Sequence, residues 1–261
     1  AITRHGVSCT LPSFWIHTPG GREVGGKASA FRKNARAALD DAYSRIFLSL
    51  LSGGFAILRR SAMSAFGDAD AAMARARAIR AYAVENLPEL LEEFERNAAR
   101  RGTRVLWARS GREACDMVAS IAKERRVSLV AKGKSMVTEE IGLNGHLARN
   151  GVTSLETDLG EVITQVMGLR PFHIVGPAIN VEPQRIAGAF VDAGIIESPT
   201  TDAVVLGKAV RAYLRGRFQR LEMGVVGVNM AVASTGTIVN VENEGNIRMI
   251  KSSPRTVVAV V

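Results

Sequence analysis

Apolar positions along the chain change period near Gly102. From Phe31 to about Arg101 they recur every three to four residues, as on amphipathic helices. In LDDAYSRIFLSLL, residues Leu39, Tyr43, Ile46, Phe47 and Leu50 share one stripe. Asp68 or Asp70 is placed to cap AAMARARAIRAYAVENL. Pro88 near the start of PELLEEFERNAARRG and Gly102 after its end follow the usual helix asymmetry. Residues 1–30, with Pro, Gly and Ser and no clear period, read as an extended arm.

After Gly102 short apolar runs alternate with helical stretches. RVLWA (104–108), VSLVAK (127–132), VTSLET (152–157) and HIVGPAI (173–179) read as strands. REACDMVASIAKERR (112–126), TEEIGLNGHLARNG (138–151), LGEVITQVMG and EPQRIAGAFVDAG read as helices between or after them. A further helix covers 202–221, and strand-rich sequence follows, ending in TVVAVV. Such alternation predicts an α/β fold, a mostly parallel sheet flanked by helices on both faces. The expected organisation is an arm (1–30), a helical segment (31–101) and an α/β domain (102–261).

Composition narrows the function classes. The chain is 47% hydrophobic and 23% charged, as globular proteins are, and with 5% aromatics its core must be built from Ala, Val, Leu and Ile. The net charge of +9 would suit an anionic partner. Its arginines, however, are scattered through Ala-rich helices, with no basic run interleaved with aromatics, so nucleic acid is not expected. Two distant cysteines, Cys9 and Cys115, exclude a cysteine-only zinc or iron–sulfur site in this chain and fit a reducing, cytoplasmic setting. His146 and His173 have no partner at metal-ligand spacing, so no metal is expected. The most apolar stretch, 46–58, reads as too short for a bilayer and contains Gly53-Gly54; no membrane span is expected.

KGKS (132–135) ends like a phosphate-binding P-loop, but Ser128 stands where that loop needs its first glycine. The residues leave two readings open. In one, Lys132, Lys134 and Ser135 hold an anion at the carboxyl end of a strand, helped by the next helix. In the other, the segment is only a helix start, capped by Thr138 with Glu139 and Glu140 at its positive end. ETDLGE (156–161) brings Glu156, Asp158 and Glu161 to the end of the next strand, where they could bind a metal, act as a base, or pair with the lysines if the strands are neighbours. In GVNMAVASTGTIVNVENEGN, Asn229, Thr235, Asn243, Glu244 and Asn246 read either as hairpin and turn residues or as a second polar wall facing a ligand. No Gly-x-Ser-x-Gly elbow or Ser–His–Asp set can be assembled, and no self-contained catalytic site is identified.

Taken in order, KGKSMVTEEIGLN, ETDLGEVITQ and NMAVASTGTIVNVENEGN resemble the LUD domain of the lactate utilization protein B family, from about Phe31 to Pro254. The resemblance implies a fold similar to sugar-phosphate isomerases, CoA transferases and formyltetrahydrofolate cyclo-ligase. It implies an iron–sulfur protein of a complex that oxidises L-lactate to pyruvate, with the other subunits as partners. A ferredoxin-like module with cluster-binding cysteines normally follows the domain. This sequence stops near that point, so it reads as truncated or as a stand-alone LUD protein: no cofactor in this chain, and clusters in a missing C-terminal module. A stand-alone protein would bind or act on a phosphorylated or nucleotide-like small anion; a homo-oligomer is left open. The candidate ligand-binding set is Lys132, Lys134, Ser135, Thr138, Glu140, Asn144, Glu156, Asp158, Asn229, Thr235, Asn243, Glu244 and Asn246.

Overall fold

A computed structural model describes residues 24–172 and 176–261. The chain divides into two compact units, Ala1–Ser52 and Gly53–Val261. In the first unit, helix α1 (Val24–Asp40) begins inside the stretch expected to be an extended arm, which corrects that expectation for residues 24–30. Residues 1–23 lie outside the described residues. Helix α2 (Ala42–Met63) starts after Asp41, whose Oδ1 accepts the Ser44 N–H at 3.0 Å. Tyr43 stacks on Phe47 with ring centres 5.8 Å apart, as the stripe predicted, but Leu39, Ile46 and Leu50 are exposed. Gly53-Gly54 does not break α2. Its 22 residues make it long and apolar enough to cross a membrane by length and composition, contrary to the reading that the apolar stretch is too short.

The second unit continues with α3 (Ala69–Glu85) and α4 (Leu87–Arg100). Asp68 caps α3 by accepting the Ala71 N–H at 2.9 Å. RVLWA is not a strand: residues 104–108 pair with no neighbour in the sheet, and Leu106 and Trp107 are exposed. An isolated strand leaves its N–H and C=O groups to water, so the apolar run is insufficient without a partner. Helix α5 (Gly111–Glu124) is capped by Ser110, which accepts the Glu113 N–H.

Strands β1 (Leu129–Lys132), β2 (Thr153–Glu156), β3 (Met223–Gly227) and β6 (Thr256–Val260) form a parallel sheet in the order β2-β1-β3-β6. The expected helix 138–151 is two helices, α6 (Met136–Glu140) and α7 (Leu143–Arg149), because Gly142 between them is left-handed at φ 68°. Helices α8 (Leu159–Val166), α9 (Pro183–Asp192) and α10 (Ala203–Phe218) lie between β2 and β3 in sequence. Of the expected strand 173–179, residues 173–175 lie outside the described residues, and 176–179 turn, with the Ile179 N–H bonded to the Gly176 carbonyl at 3.1 Å. β4 (Met230–Val232) and β5 (Thr237–Val239) make a separate antiparallel hairpin around a 3₁₀ turn. Helix α11 (Asn246–Ser252), unforeseen in the strand-rich reading, precedes β6.

The strands contribute to three apolar clusters. Val130, Met223 and Val225 pack with Cys115 and Val118 of α5 and Leu143 and Leu147 of α7. Leu155 packs with α8, α9 and α10 through Val162, Phe190, Leu206 and Leu214, while Ala131 and Val226 meet Ile247 and Ile250 of α11. Each large aliphatic side chain buried this way contributes about 1.5–3 kcal/mol. Close approach of α11 to the sheet needs Gly224, where a Cβ would stand 2.6 Å from the Ile250 carbonyl oxygen.

Candidate functional site

The parallel register sets Lys132 of β1 opposite Glu156 of β2. Lys132 shares a strand face with Val130, yet it carries a charge and is only 1% exposed. Its Nζ meets Glu156 Oε1 at 3.0 Å and donates to Thr138 Oγ1 at 3.2 Å, and it also pairs with Glu139. An ammonium has three N–H donors, and all three are engaged. Burial opposes its charge, but the carboxylates of Glu156 and Glu139 outweigh burial and hold the ammonium above its ordinary pKa. Asn144, at the start of α7, donates to the same Glu156 oxygen at 2.6 Å, and Gln165 accepts the Glu156 N–H at 3.1 Å.

Glu161, 3% exposed in the first turn of α8, lies against Glu156. Burial first, then repulsion from Glu156, pushes its carboxyl up to about 9, so it carries a proton at neutral pH. The Oε2 atoms of Glu156 and Glu161 find no hydrogen-bond partner among the described residues, and a protonated Glu161 can donate to Glu156. Beside this network, Lys134 pairs with Asp158 at 2.8 Å. Asp158 also caps α8, its Oδ1 accepting the N–H groups of Gly160 and Glu161.

A cavity of about 860 Å³ lies among α10, α11 and the start of α8. Its wall is mostly apolar, with Leu159, Val210, Leu214, Phe218 and Met249, and carries Arg211, Arg215, Glu244 and Asn246 as polar groups. Thr157 joins cavity and network: its Oγ1 donates to the Lys132 carbonyl at 2.8 Å and accepts from Asn246 Nδ2 at 3.2 Å. Glu244 accepts the Leu159 N–H at 3.1 Å, and burial, then the nearby Asp158 charge, raises its carboxyl pKa.

Of the residues expected from sequence, the structure gathers Lys132, Lys134, Ser135, Thr138, Asn144, Glu156 and Asp158 at the carboxyl ends of β1 and β2, with Glu244 and Asn246 on the cavity wall. Four others lie apart from this network. Glu140 and Asn243 are exposed, and the carboxylate of this helix that pairs with Lys132 is that of Glu139. Asn229 accepts the Val241 N–H and Thr235 bonds Thr237, so both hold the β4–β5 hairpin. Gly133 donates its N–H to the Val225 carbonyl, and the five-residue α6 is capped by Ser135, not Thr138. Sequence reasoning missed Thr157, Gln165 and the two arginines, and it named Glu139 and Glu161 without placing them in the site. The one available signal was spacing: Arg211 and Arg215 are one helical turn apart.

Residues 91–261 match the LUD domain family. Curated relatives carry the name Lactate utilization protein B. The one from Exiguobacterium sp. is 35% identical over 230 residues, covering 88% of this chain and 49% of that protein. Those from Bacillus cytotoxicus and Bacillus cereus are 39% and 40% identical over 182 residues, covering 70% of this chain and 38% of each relative. The chain thus spans about half or less of the length of these relatives. No solved structure matches it. The matched region contains the whole parallel sheet and the buried Lys132–Glu156 pair, and on that match the chain belongs to the LUD domain family.

Proposed function

We propose that this chain is the LUD portion of a lactate utilization protein of the B type, serving the oxidation of L-lactate to pyruvate through an iron–sulfur electron-transfer complex. The observation that carries the reading is similarity, at 35–40% identity over most of the chain, to relatives bearing that name. Iron–sulfur clusters do not fit the donors of this chain. A cluster takes four thiolates, or at least two with two imidazoles at a Rieske centre, and the chain has two cysteines. Cys115 is buried in the core, bonded to the Ile141 carbonyl, and its thiol pKa is raised by burial. In this reading the clusters belong to a cysteine-bearing part of the protein or to a partner subunit, and the LUD portion contributes binding and docking.

Gene deletion in the source organism, followed by growth on L-lactate as sole carbon source, tests the proposal. Lost growth that returns with the intact gene is expected. Undiminished growth on lactate overturns it.

A further inference from the structure

We propose that the cavity among α8, α10 and α11 binds an organic anion of nucleotide size, with its phosphate or carboxylate held by Arg211 and Arg215 and its body along the apolar wall. Ligand pockets commonly enclose about 300–1,000 Å³, and this cavity of about 860 Å³ falls in that range. A three-carbon acid would leave most of it empty.

Three features of α10 and its neighbours specify the ligand. Arg211 and Arg215 are neighbours on one helix face and both line the cavity. Neither makes a side-chain hydrogen bond or ion pair among the described residues. Arg217, by contrast, is committed: it stacks over the Tyr213 ring at 3.4 Å and donates to the Tyr213 carbonyl at 3.0 Å. Two unengaged guanidiniums side by side suit a planar carboxylate or a phosphate, each of which accepts paired N–H bonds. The wall is otherwise mostly apolar, with Phe218 available to a flat ring. Glu244 uses Oε2 for the Leu159 N–H. Its other oxygen suits a hydroxyl or amino group on the ligand. The ligand therefore combines an anionic group, an apolar body and a hydrogen-bond donor.

Isothermal titration of the full chain with adenosine monophosphate, flavin mononucleotide and 6-amino-2-naphthoate tests the proposal. At least one probe binds the wild type saturably, and the double variant Arg211→Ala/Arg215→Ala weakens it at least tenfold. Arg220→Ala, outside the cavity lining, leaves binding unchanged. Binding of a phosphate probe alone assigns a phosphate site; binding of the naphthoate alone assigns a carboxylate site. Both arginines are exposed, so the double variant should melt with the wild type; if it does not, Arg211→Lys/Arg215→Lys replaces it, with the same loss expected because lysine lacks the paired donors. No binding by any probe at millimolar concentration overturns the proposal, as does equal binding by the folded variants. Undiminished growth on lactate would strike the functional reading and leave this one standing, whereas a failed titration strikes only this one.

Discussion

Lys132 carries a charge where the fold would otherwise place an aliphatic side chain. Removing one member of a buried pair leaves the other charge unpaired, which costs about 3–5 kcal/mol. Lys132→Met is therefore expected to destabilise the protein by about that much in urea unfolding, because Glu139 and Glu156 lose their counter-ion. Adding Glu156→Gln should restore part of the loss; a double variant as unstable as the sum of both changes would refute the coupling. Glu161 gives a pH signature. Its carboxyl pKa is about 9 in the folded chain against an ordinary 4.5, so between these values the folded state holds a proton that the unfolded state releases. Its contribution to stability is thus fully present below the unfolded value and falls as pH rises toward the folded one. Glu161→Gln, which keeps a donor toward Glu156, should flatten that slope and stabilise the protein at pH 8 by about 1–3 kcal/mol. Parallel stability–pH curves for the two proteins would contradict this assignment.

At the scale of elements, the sequence announced helices by their caps and strands by their apolar runs, and it misled where tertiary partners decide. The Asp68 cap was legible because a short acidic side chain before a helical period has one obvious use. Asp68→Ala is expected to lower stability by about 1 kcal/mol, measured by chemical denaturation. RVLWA carries the same local signal as VSLVAK, yet only the latter finds neighbours in the sheet. Residues 138–151 read as one helix despite Gly142 and Gly145, and of the two it is Gly142 that takes a left-handed turn, just before Asn144 reaches Glu156. Contact between α11 and β3 was invisible because it depends on the absence of a side chain at Gly224. Gly224→Ala forces a methyl against the Ile250 carbonyl and should cost about 1–3 kcal/mol, or more if α11 detaches. An alanine variant as stable as the wild type would show that α11 yields easily.

For the whole molecule, the α/β class and the meeting of KGKS with ETDLGE were readable, since parallel neighbours put their carboxyl ends on one edge. The cavity was not, because its walls come from α8, α10 and α11, which are far apart in sequence. The strand order implies a gradient of local stability. β1 and β3 are enclosed on both sides, whereas β2 and β6 are edges among the described strands. Hydrogen exchange should therefore be slowest in 129–132 and 223–227 and faster in 153–156 and 256–260. Equal protection of all four strands would mean that the edges are covered in the intact protein.

The enclosure of Lys132 also bears on its reactivity. An amine attacks an electrophile only through a free lone pair, and this one is protonated and bonded on all three hydrogens. Acylating reagents should therefore modify the part-exposed Lys134 well before it. Pyruvate with borohydride should trap no imine at Lys132: the most buried lysine of the sheet is chemically the quietest.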